Sequence, residues 1–573
     1  MVTRRWHLQP PLPERLGARF AAAGVHPLLA QLLYNRGFTA PQAAQAFLRA
    51  GVALVHDPFL LPDMDRAVAR VRRAIAEREP IAVYGDFDAD GITATALLVT
   101  GLRRLGGVAR PYIPHREAEG YGLNRPALDA LHAEGIGLVI TVDTGTSAPD
   151  EVAHARALGV ETIVTDHHSI PEQLPQAVAL LNPHRQDTAA PYPFPHLTGA
   201  GVAYKLLGAV ARSLGRDLDE DDYLDLVAIG TVADLGPLLG ENRYFVRHGL
   251  RLLNTPAAGP GPGPRRLGLQ ALFRRAGLKP GTLTARDIGF MIAPRLNAAG
   301  RLDHASLSYR LLTTEDPEEA YRLADTLEAL NRERQLRTED ALARARELVG
   351  DGADLPLVLV GDASFGAGIV GLVAGKLAEE WYRPAVALAV GPELSQGSAR
   401  SIPGFNIVQA VRECQDLLER CGGHAQAAGF TVRTERLPAL RERLLDVAAR
   451  TLAGQEPVPV LEVDAAVAPD ALPGAAALAL HELEPHGLDN PEPLFLGRGL
   501  ALADHRAVGA EGKHLQLKLR DARAVWRAVG FHLAGQADQL APRLDVVYTL
   551  EVDGWAGRGT LRLNVKDFRP TQD

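Results

Sequence analysis

Between residues 60 and 250, short runs of β-branched and apolar residues alternate with helical periods. "IAVYGD" precedes a helical stretch beginning near Ile92, and "GVARPYI" precedes one near Ala127–His132. "GLVITVD" precedes another from Asp150, and "VETIVTD" follows that. Strands separated by helices predict a parallel sheet with crossover connections. Residues 1–50 read as short amphipathic helices, among them "LLYNRGF" and "APQAAQAFLRAG". From Asp316 to about Val349, strong helix formers with Leu and Ala at helical spacing predict one long helix, suited to connecting two domains. A second α/β region follows, from "LPLVLVGD" to about Leu452. After Pro457 the pattern shortens to strands, "HLQLKLRD", "AVWRAVGF", "LDVVYTLEVDG" and "GTLRLNVKDF", and predicts a small antiparallel barrel or sandwich. "TPAAGPGPGPRR" is a loop by its Pro and Gly content.

Composition bounds the function without choosing it. The chain has 573 residues, 46% hydrophobic and 23% charged, enough for several cores. No run of about 18 apolar residues exists, so no membrane span is expected. The start, "MVTRRWHLQPPLPERLG", lacks the apolar stretch of a signal peptide, and a bacterial-type cytoplasmic protein is expected. The two cysteines, Cys414 and Cys421, provide no disulfide framework and no zinc spacing. A net charge of −8 confines any nucleic-acid surface to a local patch.

The candidate chemistry lies where the strands stop. "YGDFDADGIT" sets Asp86, Asp88 and Asp90 on alternate positions after Ile81-Ala82-Val83. "GLVITVD" ends in Asp143, and "ETIVTDHH" ends in Asp166-His167-His168. In an open parallel sheet the ligand crevice lies beyond the carboxyl ends of the strands, so these groups converge on one edge. Alone, D-x-D-x-D is a weak signal, because aspartate also caps helices, and paired histidines are often surface residues. Three strand ends together are far more specific. Unpaired carboxylates would repel and raise one another's pKa. Divalent metal resolves the conflict, and carboxylates with imidazole suit manganese or magnesium. Asp234, in the apolar stretch "DLVAIGTVADLGPLLGENR", is a further candidate ligand.

At this point "GDFDADGIT", "TVDTG", "TDHH" and "GTVADLGPLLGENR" resemble the four motifs of the DHH phosphoesterase superfamily. The resemblance is closest to the RecJ family of single-strand-specific 5′→3′ DNA exonucleases. It continues through "YIPHREAEGYGLN", "LTGAGVAYK", "APRLNAAGRL", "LNRERQ", "SARSIPGFNI", "GGHAQAAGF" and "NPEPLF". It implies an α/β architecture: an N-terminal helical segment (1–50), a parallel-sheet DHH domain (51–315), a connecting helix (316–350), a DHHA1 domain (351–455) and an OB-fold β-barrel (456–573). It implies two ions, manganese or magnesium, held by Asp88, Asp90, Asp143, His167 and Asp234, with Asp143 bridging. It leaves open whether Asp86 ligates or only orients the others. His168 is the second histidine, which faces the phosphate, and Asp166 orients an imidazole.

Substrate contacts follow from the same resemblance. Ser398 and Arg400 are candidates for a 5′ phosphate, since arginine can hold one bidentately. Gly422, Gly423 and His424 match the DHHA1 signature facing the metal site. Arg116, Tyr121 and Arg295 are further candidates, with Tyr121 able to stack on a base. The bland alternatives are ordinary salt bridges for Arg116 and Arg301, and a plain turn for Gly422-Gly423. Two positions depart from the family. Phe365-Gly366 stands where a Trp-His pair is usual, and His486 stands where phenylalanine is usual. The tail, mildly basic from Gly497 onward, offers "EGKHLQLKLRD" and Trp526 for holding a single strand. The implied function is metal-dependent 5′→3′ hydrolysis of single-stranded DNA to 5′-mononucleotides in recombination and repair. The implied partners are single-stranded DNA with a free 5′ end, a single-strand-binding protein and a helicase. Three rivals remain: an oligoribonucleotide or cyclic-dinucleotide phosphodiesterase, a pyrophosphatase, and a non-catalytic scaffold. The connector and barrel argue against the first two, and the complete ligand set argues against the third.

Overall fold

A computed structural model describes residues 4–188, 190–255, 265–350, 355–455, 457–552 and 561–572. The expected loop Thr255–Arg266 lies mostly outside the described residues, as does the end of the expected strand "LDVVYTLEVDG". The chain forms two compact units. One comprises Val55–Gly236 and Glu241–Pro457; the other gathers residues 4–54, 237–240 and 458 onward.

The first unit begins with a five-stranded, wholly parallel sheet. Its order in space is Val108–Tyr112, Pro80–Gly85, Leu138–Val142, Glu161–Thr165 and Ala179–Leu181. The central strands are buried along their length, which is why they read as unbroken apolar runs. Helix Ala89–Arg104 is buried nearly all round and packs on helices Gly199–Ser213 and Leu224–Ala233. Its sequence, "GITATALLVTGL", has no polar face to expose. The helix Pro317–Val349 runs 33 residues, roughly 50 Å at 1.5 Å per residue. Asp316 caps it by accepting from the Glu318 N–H at 3.0 Å, and Pro317 occupies its first turn.

The second sheet of this unit is mixed. Val358–Asp362 and Ala385–Ala389 pair in parallel; Leu394–Arg400, Ala427–Arg433 and Leu418–His424 then add antiparallel. Gly422 and Gly423 therefore belong to a strand, and an ordinary turn does not describe them.

In the other unit, Phe495–Val508, His514–Arg520, Val525–Gly530, Leu561–Pro570 and Arg543–Val552 close into a five-stranded barrel. Sequence periodicity finds four of these strands and misses Phe495–Val508, whose first half is glycine-broken. The N-terminal helices share one core with the barrel: Phe20, Leu29, Leu32 and Phe47 pack with Phe495, Leu517 and Phe568. Short helices bury too little to form a core alone. Arg5–Leu8 pairs in parallel with Val460–Val463, a strand the N-terminal sequence does not announce.

A buried polar network stiffens the first unit. Glu241 and Lys205 form an ion pair, both almost fully buried. The Tyr192 hydroxyl and the His56 N–H donate to Glu241 at 2.6 and 3.0 Å, and the Lys205 ammonium donates to the His56 carbonyl at 2.7 Å. Lys205→Met removes the counter-charge and should destabilise by about 3–5 kcal/mol. Thermal unfolding checks this, and an unchanged melting temperature would contradict it.

Candidate metal centre and phosphate cleft

Asp88 caps helix Ala89–Arg104, its carboxylate accepting from the N–H groups of Asp90 (2.9 Å) and Gly91 (3.1 Å). The capping role and the acidic cluster are thus one structure. Asp90 is turned inward and held by a second helix: its carboxylate accepts from the Gly199 N–H at 2.6 Å and the Ala200 N–H at 3.0 Å. Asp143 follows the strand Leu138–Val142 in the left-handed region, φ 62°, a conformation aspartate tolerates better than most residues. Its N–H donates to the Thr165 carbonyl at 3.0 Å. Asp234 ends helix Leu224–Ala233 as its C-terminal cap residue.

These elements bring the acidic groups and one imidazole together. The His167 Nε2 lies 3.0 Å from Asp143 Oδ1, 3.5 Å from Asp234 Oδ2 and 4.0 Å from Asp90 Oδ2. Asp90, His167 and Asp234 form one group, Asp143, His167 and His168 another, and Asp86, Asp88 and Asp143 a third, each with donor atoms within 4.8 Å of one another. Asp86 Oδ1, Asp143 Oδ1 and His167 Nε2 are buried without a hydrogen-bond partner. The 3.0 Å approach of Asp143 to His167 is not aligned as a hydrogen bond. Buried polar atoms left unpaired are costly. Three of them in one cluster of carboxylates and imidazole, two only 3.0 Å apart, fit divalent cations.

Electrostatics agree with that fit. Burial, then Asp88, pushes the Asp86 carboxyl up to about 8. Burial, then Asp88, pushes Asp90 up to about 7. Asp143 is raised well above the carboxylate range by burial and by Asp90, and Asp234 is raised by burial and the same neighbour. Burial holds His167 down to about 3, so its imidazole is neutral and can ligate.

His168 differs from its neighbour. Burial opposes its charge, yet the Asp166 carboxylate at 2.7 Å raises it to about 9. Asp166 also accepts from the N–H groups of Thr146 (2.9 Å) and His167 (2.8 Å), and despite burial its carboxyl lies far below the ordinary range. Asp166 thus orients the pair, and His168 presents a cation. The His168 ring stacks on His424 at 6.0 Å and 18°, and Ser169 Oγ lies 3.4 Å from His424 Nδ1. The second sheet therefore faces the metal groups.

Close packing fixes these positions. A methyl at Gly199 would lie 2.5 Å from Asp143 Cβ, and one at Gly230 would lie 2.4 Å from Asp90 Oδ1. The Tyr121 loop is braced from behind, with the Tyr84 hydroxyl donating to the Gly122 carbonyl at 2.9 Å. Tyr121 itself is 57% exposed and meets Phe87 edge-on.

Arginines gather beside the carboxylates. Arg116 lies over the Phe87 ring at 4.1 Å, near Asp86 and Asp88. Arg400 donates to Ser398 Oγ and to the Ala399 carbonyl, both at 2.9 Å, and has no carboxylate partner among the described residues. Arg301 donates to the Gly368 carbonyl at 2.9 Å. Burial, then the charges of Arg116, Arg334 and Arg400, brings Arg301 down to about 9. Arg301 thus feels the charges of three other guanidiniums, and Arg334 donates to Asn331 Oδ1 at 2.8 Å. The sequence alone offers Arg301 only as a salt-bridge partner and does not single out Arg334. Arg295 is not among them: it donates to Glu328 at 2.6 Å and to the Met291 carbonyl at 2.7 Å. Phe365 is buried in the core of the second sheet, with Val360 and Ile369. His486 lies in the barrel unit beside Leu480 and Phe495.

Residues 80–231 match the DHH family N-terminal domain, 356–450 the DHHA1 domain and 463–567 the RecJ OB domain. The chain is 37% identical over 568 residues to the single-stranded-DNA-specific exonuclease RecJ of Bacillus subtilis, covering 98% of this chain and 70% of that protein. It is 33% identical over 593 residues to that of Dickeya dadantii, covering 99% of each. The crystal structure of RecJ in complex with Mn2+ from Thermus thermophilus superposes with TM-score 0.84 at 33% identity, covering 99% of this chain and 80% of that one.

In metal-free protein the folded state keeps protons on these raised carboxyls and on His168 that the unfolded chain has released. Stability therefore falls as pH rises from about 4, where the unfolded carboxyls ionise, to about 9, where the last of the folded groups release their protons. Manganese replaces those protons, so it should raise the melting temperature most at the alkaline end and flatten the slope. Scanning fluorimetry across pH, with and without manganese, checks this. A melting temperature indifferent to both would contradict the charge crowding.

Proposed function

Because the chain belongs to the RecJ family of single-stranded-DNA-specific exonucleases, we propose that it hydrolyses the terminal phosphodiester of single-stranded DNA from the 5′ end, releasing 5′-mononucleotides. The observation that carries this reading is the union of two features: an acidic cluster fit for divalent cations and, beside it, arginines among which Arg400 has no carboxylate partner among the described residues.

Asp90, His167 and Asp234 would hold one manganese or magnesium ion, and Asp86 and Asp88 a second, with Asp143 facing both. When bound, such ions lower the pKa of water and neutralise the charge that develops on phosphate oxygens. The chain's own residues do the rest. Ser398 and Arg400 receive the 5′ phosphate, with Arg301, Arg116 and Arg334 contributing charge around it. His168, held protonated by Asp166, faces the phosphodiester oxygens as a hydrogen-bond donor, and His424 closes the opposite wall with Gly422 and Gly423. Tyr121 offers its exposed ring to a base. The barrel holds the incoming strand. In the cell, this activity belongs to recombination and repair in the cytoplasm, where a helicase and a single-strand-binding protein supply the substrate.

The direct test is degradation of 5′-labelled single strands with manganese, against chelated enzyme and a blunt duplex. Loss of label as mononucleotide from the single strand alone is expected; internal cleavage or equal attack on the duplex would overturn the reading. Asp143→Ala should abolish turnover and reduce manganese stoichiometry while leaving the fold intact, because it relieves like-charge crowding. Calorimetric titration checks it, and full stoichiometry would refute the bridging role.

Arg400→Ala should cost about 1.5–3 kcal/mol of binding to a 5′-phosphorylated strand. It should also erase any preference over a 5′-hydroxyl strand. Competition kinetics with the two strands read this out, and a retained preference would move the phosphate seat elsewhere.

A further inference from the structure

Helix Leu224–Ala233 ends in a left-handed turn directly after Asp234. The Leu235 N–H donates to the Val232 carbonyl at 3.2 Å, and the Gly236 N–H donates to the Thr231 carbonyl at 2.8 Å. This pair of bonds is the Schellman ending, whose left-handed position ordinarily takes glycine. Here that position is leucine, at φ 56°. The glycine stands one residue later for a separate reason: a methyl at Gly236 would lie 2.7 Å from Thr198 Cγ2. So the backbone gains nothing from a side chain at 235. Packing gains little either, because Leu235 is 71% exposed.

A second exposed apolar side chain lies on a neighbouring element. Ile288–Ile292 is a single π-helical turn packed against helix Leu224–Ala233, and a methyl on Gly289 would touch Val232 at 3.6 Å. Such turns concentrate at functional sites. Phe290, on this turn, is 73% exposed, and the Arg286 guanidinium lies 5.8 Å from its ring centre. The turn is anchored from below, because Arg295 donates to the Met291 carbonyl and pairs with Glu328 on the long helix. Isolated exposed leucines need no explanation. A strained one that immediately follows a candidate metal ligand, with an exposed aromatic and its cation on the turn packed against the same helix, does.

The geometry points to Leu235 and Phe290 as an apolar step that receives nucleobases of the single strand next to the cleaved phosphodiester. This inference rests on the exonuclease reading and deepens it. If phosphates are drawn to the arginines and the metal groups, the bases must project from that line. An apolar surface beside Asp234 accepts any base, because every base has an apolar face, and Arg286 adds a charge for the next phosphate. Leu235 and Phe290 are positioning residues for the strand and take no part in proton transfer.

The test uses the full chain with manganese and 5′-phosphorylated oligothymidylates carrying one abasic site, moved stepwise from the 5′ end. In the parent, an abasic site at one of the first few positions should raise KM by about fivefold or more. Leu235→Gly should melt at or above the parent temperature, since glycine suits the turn, yet show a raised KM on intact strands and no dependence on that abasic position. Phe290→Ala should shift the dependence at the same or the adjacent position. A Leu235→Gly protein that keeps the parent's abasic profile overturns the inference. So does one that melts lower and loses kcat on all strands together, because Leu235 would then be structural. A parent chain that degrades no single strand at all overturns the exonuclease reading itself, an outcome distinct from either.

Discussion

Asp90 accepts backbone N–H bonds from Gly199 and Ala200, and the acidic centre is organised around that clamp. The bond joins the amino ends of two helices, one following the first central strand and one arriving from far along the chain. Each helix end favours negative charge through its unpaired N–H groups. The centre can therefore collect carboxylates that would otherwise drive one another apart. The same contact brings Gly199 under Asp143, where a methyl would clash, so one helix start positions two candidate ligands that follow different strands.

The two histidines of "TDHH" show how little sequence distance is needed to divide roles. His167 points its Nε2 at Asp143, Asp234 and Asp90 and is held neutral by burial. His168, one residue on, is bound by Asp166 and held charged. One serves as a candidate ligand and the other as a fixed cation, and the buried Asp166 between the strand and the loop enforces the difference.

Much of this was legible in the chain. The parallel sheet, the strand ends carrying Asp86, Asp88, Asp90, Asp143 and His167, the connector and four barrel strands follow local periodicity, and local periodicity is visible in one sequence. The illegible parts depend on distant partners. Arg301 and Arg295 sit six residues apart in "APRLNAAGRL", yet one faces three other arginines and the other is neutralised by Glu328. Nothing in the local sequence separates them. Likewise Lys205 and Glu241, far apart in the chain, form a buried ion pair that neither local sequence announces. The apolar faces of the N-terminal helices are evident in the sequence, but the core they complete, which lies mostly in the barrel, is not.

The 33-residue helix belongs to two cores at once. Leu323, Ala324, Leu327 and Asn331 are buried in its first half, and Ala341, Leu342 and Ala345 complete the core around Val358 and Val373. A continuous α-helix transmits rotation as well as distance. One residue added between Asn331 and Ala341 would advance everything downstream by about 1.5 Å and turn it by about 100°. Arg400 and His424 would then leave the cleft, although every residue within it stayed the same. The spacing of this helix is thus under a phase constraint. Length changes there are tolerable only near whole turns, and the connector behaves as a keyed shaft, unlike a tether whose length could drift freely.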